Sequence, residues 1–69
     1  MKISARHKLT GTLVDVVKGV TTSHIRIDIG GNNIVTASIT NEAIDELKLT
    51  KGQRATAVIK ASDVLVAVD

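Results

Sequence analysis

Apolar and polar residues alternate most regularly in "HIRIDIG", residues 24–30. Ile25, Ile27 and Ile29 fall on one face, and His24, Arg26 and Asp28 on the other, as a half-buried strand requires. "GGNN" at 30–33 supplies residues that tolerate positive φ, so a hairpin turn is predicted there and a returning strand over Ile34 to Ile39. Upstream, Leu9 and Leu13 share a face, but Val14 and Val16 occupy the opposite one. A first strand from about Lys8 to Val17 must therefore bulge or be buried on both sides. "KGV" at 18–20 reads as a turn. The period changes in "NEAIDELKL", where Ile44 and Leu47 stand three apart. A short helix is predicted, with Asn41 as N-cap, Glu42, Asp45 and Glu46 near its positive end, and "TKG" at 50–52 ending it. Gln53 to Lys60 and Val64 to Val68 read as strands four and five. The last, "VLVAV", is apolar on both faces, one for the core and one for a neighbouring subunit.

These elements predict an all-β domain spanning residues 1–69. It is a small five-stranded barrel of the oligonucleotide-binding (OB) type, with one short α-helix between strands 3 and 4. Composition then changes the picture. A chain of 69 residues buries only ~60% of its unfolded surface, so its core is marginal. Chains of this size are commonly stabilised by a disulfide, a metal or oligomerisation. There is no cysteine, and two histidines do not make a zinc site. Hydrophobic residues are 43% of the chain, yet none is aromatic. So much aliphatic content in so small a body predicts apolar surface that a partner subunit covers. No stretch approaches the ~20 apolar residues of a membrane span, and nothing resembles a signal peptide, so a cytoplasmic protein is expected.

Nine basic and seven acidic residues leave a net charge of +2, too mild to mark a nucleic-acid binder. The distribution is uneven, however. Lys2, Arg6, Lys8 and Lys18 precede residue 19, where Asp15 is the one acid.

Three chemistries can be weighed. An enzyme is not expected, because the chain has no paired-carboxylate motif, no Gly-rich phosphate loop and no metal-ligand spacing. Ser23–His24 with a distant Asp is a coincidence of residue types, and His24 belongs on a solvated strand face. Single-stranded nucleic acid is the usual ligand of OB barrels, but they stack bases on aromatic side chains, and this chain has none. An OB-like module binding nucleic acid or a protein remains the alternative. A tetrahedral oxyanion needs only donors around it, namely hydroxyls, backbone N–H groups, Lys and Arg. Ser4 and Arg6 share a face near the start, Lys60 and Ser62 lie where strand four meets strand five, and Thr40 sits at the helix entrance.

"ISAR" near the start, "KG" at 18–19, the acidic helix ending in "ELKL" and "TAVIKASDVLVA" near the end together resemble the molbindins. These are small cytoplasmic molybdate-binding (Mop) proteins made of one TOBE domain, and the likeness runs from Ile3 to Ala67. The resemblance implies a hexamer, a trimer of dimers, with molybdate or tungstate held at subunit interfaces and no other cofactor. It carries ligand roles onto Ser4, Ala5 and Arg6 from one chain and onto Lys60, Ala61 and Ser62 from another. Thr40 takes the place of a family hydroxyl, and Lys18, Gly19 and Val20 that of a second class of site. With no helix-turn-helix and no P-loop, molybdenum storage or homeostasis is implied in place of regulation or transport. His7 departs from the family's "SARN", placing a group that gains charge near neutral pH beside the site.

Overall fold

The computed structural model describes residues 2–69; Met1 lies outside the description. The chain forms β1 (His7–Lys18), β2 (Thr22–Gly30), β3 (Asn33–Thr40), α1 (Asn41–Leu47), β4 (Arg54–Ile59) and a 3₁₀ turn over Ala61–Asp63. The four strands make one antiparallel sheet in the order β3-β2-β1-β4. The architecture is mostly β with a single short helix, and the sheet curls into half of a barrel.

The central strand, β1, is long because it serves two partners. Its first half pairs with β4 from His7↔Ile59 to Thr12↔Arg54, and its second half with β2 from Thr12↔Asp28 to Lys18↔Ser23. Between Leu13 and Asp15 the register with β2 shifts, so Val14 is an extra residue in a bulge. Side chains alternate with period two, and one inserted residue switches which parity faces inward. Leu9 and Leu13 face the concave side before the bulge and Val16 after it. That resolves the two-faced apolar pattern of β1 in favour of a bulge. Gly11 lies where β2 crosses most closely, since a Cβ there would stand 2.0 Å from the Asp28 carbonyl oxygen.

The β2–β3 hairpin closes at Gly30↔Asn33 through Gly31 (φ 61°) and Asn32 (φ 63°). Two successive positive φ values make the turn whose twist matches that of the strands. Leu13, Ile25, Ile27 and Ile44 form the buried core, and Leu13 is wholly enclosed. Ile44 is the residue by which α1 closes one end of the half-barrel. A seven-residue helix is marginal alone, and this contact holds it.

Three expectations are corrected. The N-cap of α1 is Thr40, not Asn41: the Thr40 Oγ1 accepts a hydrogen bond from the Ala43 N–H at 3.1 Å. The helix also ends before "TKG", at Lys48, which adopts the left-handed conformation (φ 52°). Thr50–Gln53 instead form a turn whose Gly52 N–H donates to the Leu13 carbonyl at 2.7 Å, guiding the chain into β4. Finally, the five-stranded barrel is not completed. Among the described residues Val64–Val68 joins no ladder, and the sheet stays open between β3 and β4. Leu65, Val66 and Val68 are each about nine-tenths exposed. A strand needs a partner as well as a propensity, and this segment finds none within its own chain.

Candidate oxyanion site

The candidate residues fall into two clusters at opposite ends of β1. The first is set by the outermost rung of the β1–β4 ladder, His7↔Ile59. Beyond it Arg6, Ala5 and Ser4 lead away on one side, and Lys60, Ala61 and Ser62 on the other. Two segments more than fifty residues apart in sequence thus leave the same end of the sheet side by side. Ala5 is buried (8% exposed) while Ser4 and Arg6 on either side are exposed, so the small residue anchors the segment and its neighbours face outward. Lys60 continues β4 in extended conformation (φ −70°, ψ 138°), and the Asp63 N–H donates to its carbonyl at 2.9 Å. This tight turn carries Ser62 on its exposed surface.

Among the described residues, neither the Arg6 guanidinium nor the Lys60 ammonium takes part in an ion pair. Both side chains are exposed beyond the same ladder end, where an anion in solvent can reach them. Guanidinium, ammonium and hydroxyls are the donors a tetrahedral dianion requires once its water is removed. His7, on the last rung, is exposed beside them. The resemblance assigns the two clusters of one site to different chains; within one chain the register brings both segments to the same end of the sheet.

The second cluster surrounds the loop joining β1 to β2. Lys18, Gly19 and Val20 are exposed there. Thr40 belongs with this cluster and not with Arg6 and Lys60, because it pairs with Thr22 at the start of β2. Asn41 organises the loop. Its amide Nδ2 donates to the carbonyls of Gly19 (3.1 Å) and Val20 (3.2 Å), and its backbone N–H donates to the Thr21 carbonyl at 2.9 Å. Its Oδ1 accepts from the hydroxyl of Ser23, which is fully buried. In a trans peptide the N–H lies opposite the C=O. With the carbonyls of residues 19 and 20 turned onto Asn41, the N–H groups of Val20 and Thr21 therefore point away from it. Neither donates to another described residue. Gly19 is required as well, because a Cβ would stand 2.6 Å from the Thr22 carbonyl that accepts its own N–H. The result is two backbone donors beside one ammonium, in a shallow depression also lined by Val17 and His24.

Lys18 is not idle. Its Nζ lies 3.0 Å from Asp45 Oδ1 on α1. The roles of Asn41, Ser23 and Asp45 are absent from the sequence reading, since each depends on a contact spanning about twenty residues with no local signature. Among the described residues no group of three or more His, Cys, Asp or Glu side chains is placed to hold a metal ion. No helix is long and apolar enough to cross a membrane.

Comparison with known proteins adds a second line of observation. The TOBE domain family model matches residues 3–66. A probable molybdenum-pterin-binding protein of Haemophilus influenzae is 42% identical over 69 residues, covering all of both chains. Among solved structures, a molybdate-binding protein from Sporomusa ovata superposes with a TM-score of 0.91 at 35% identity, over 99% of this chain and 100% of that one. The cytoplasmic molybdate-binding protein ModG, solved with molybdate bound, gives a TM-score of 0.89 at 38% identity over 94% of this chain and 46% of its own.

Proposed function

The chain belongs to the TOBE domain family and sits among its molybdenum-pterin-binding (Mop) members, and from that premise we propose that it binds molybdate or tungstate as a homo-oligomer and serves molybdenum storage in the cytoplasm. It is a binding protein and not a catalyst. The observation that supports the reading is the His7↔Ile59 rung, the last of its ladder, beyond which the segment of Ser4 and Arg6 and that of Lys60 and Ser62 leave the same end of the sheet. The Sporomusa and ModG proteins are both described as molybdate-binding, and ModG as cytoplasmic.

Oligomerisation is supported by surface area. The protomer exposes 5508 Å² at a mass of 7.3 kDa, against about 4,200 Å² for a folded monomer of that size. The excess exceeds the ~800 Å² that each partner buries in an ordinary stable interface. The bare C-terminal segment contributes to that excess, with Leu65, Val66 and Val68 each about nine-tenths exposed. A hexamer built as a trimer of dimers would bury that segment and add donors to the exposed Arg6–Lys60 end, so that ligand and assembly stabilise each other. At the other end, Lys18 and the N–H groups of Val20 and Thr21, flanked by Gly19 and Thr40, form a second anion site.

Calorimetric titration of the assembled protein with molybdate, tungstate and sulfate, beside a single-stranded oligonucleotide, tests the reading. Molybdate and tungstate should bind and the oligonucleotide should not. Sulfate carries the same charge on shorter bonds, so its discrimination must come from cavity size. Binding of the oligonucleotide without molybdate would replace this function with that of an interaction module.

A further inference from the structure

We propose that Asp45 is an internal rival of the bound anion for the Lys18 ammonium and thereby sets the affinity of the second cluster. This rests on the reading of Lys18 as an anion ligand. The Lys18–Asp45 contact is 3.0 Å, with the two side chains 52% and 69% exposed. An exposed pair of this kind contributes little stability, so it holds the ammonium in place without locking it. Asp45 sits one helical turn after Asn41, and through these two residues α1 acts on the loop in opposite senses. Asn41 turns the Val20 and Thr21 N–H groups outward, while Asp45 lays a carboxylate on the one cation beside them.

An incoming anion must displace that carboxylate or share the ammonium with it. Breaking the pair costs the same whichever anion displaces it, and sharing the ammonium sets the Asp45 carboxylate against the anion's own charge. The rival therefore lowers affinity for every anion that uses Lys18, and removing it raises that affinity.

The test follows the amide resonances of Val20 and Thr21 by NMR during molybdate titration at low ionic strength, so that this cluster is read separately from the Arg6–Lys60 end. Asp45→Asn should tighten molybdate binding about two- to fivefold, the scale of an exposed ion pair. Glu46→Gln removes the same charge from the same helix without touching an ion pair of Lys18, and it should change affinity clearly less. Lys18→Ala should weaken binding, and adding Asp45→Asn to it should give no more than Glu46→Gln gives. If Lys18→Ala weakens binding but Asp45→Asn leaves it unchanged, or tightens it equally in the Lys18→Ala chain, the rivalry is refuted and Lys18 remains a ligand. If Lys18→Ala leaves the titration unchanged, Lys18 is no ligand and the rivalry fails with it.

Discussion

His7 stands opposite Ile59 on the last rung of the β1–β4 ladder, and this single pairing sets the end of the sheet from which Arg6 and Lys60 both leave. Register in a sheet is all-or-none, because a slip by one residue would exchange the inward and outward faces of β1. Leu9 facing Ala57 on the concave side therefore also determines that Arg6 and Lys60 leave the sheet as neighbours. The apolar core and the candidate site are two consequences of one alignment.

Asn41 offers a test of the second cluster that separates donor from acceptor. Asn41→Asp keeps an acceptor for the buried Ser23 hydroxyl but sets a carboxylate against the Gly19 and Val20 carbonyls it now binds. The loop should turn over, and the Val20 and Thr21 amides should cease to respond to molybdate. Asn41→Ala also leaves Ser23 without its partner and should lower stability by about 1–3 kcal/mol in urea unfolding at fixed protomer concentration. An Asn41→Asp protein that still responds at these amides would show that the loop does not depend on those bonds.

His7 is exposed on the last rung, at the end of the sheet from which Arg6 and Lys60 leave. His7→Glu places a carboxylate there and should weaken molybdate binding, because like charges repel. Unchanged affinity of the His7→Glu protein in calorimetry would remove His7 from the site.

The exposed C-terminal segment predicts how assembly fails. Leu65→Asp together with Val66→Asp places two charges where a partner subunit is expected to bury apolar side chains. Light scattering should give a multiple of the protomer mass for the native chain and a lower mass for the double variant, with β-sheet content retained. A native chain that runs as a monomer would remove the subunit interface from the account.

Much of the fold was legible because it is written in local alternation. Ile25, Ile27 and Ile29 announce β2, and Gly31-Asn32 announces a turn that requires two positive φ values. The doubled pattern of Leu13, Val14 and Val16 already demanded a bulge or a strand buried on both faces, and the β2 register decides between them. Features set by distant contacts were not legible. Thr40 and Asn41 are both good caps by residue type, and the choice between them depends on which oxygen reaches the Ala43 N–H and which is taken up by Ser23 and the 19–20 carbonyls. "VLVAV" reads as a strand, but the missing partner is not a property of those five residues. The same holds at the site. Serines, arginine and lysine named themselves as donors, whereas the grouping of Thr40 with Lys18, and the hold of Asp45 on that lysine, follow from the β2–β3 register and from α1.

The most direct measurement is calorimetric titration of molybdate into the native chain and into Arg6→Ala and Lys60→Ala. A charge-assisted hydrogen bond contributes ~1.5–3 kcal/mol, so each substitution should weaken binding by about one to two orders of magnitude at the first cluster while the sheet stays folded. Native affinity in both variants would contradict the claim that these two residues, which leave the sheet beyond the His7–Ile59 rung, hold the anion.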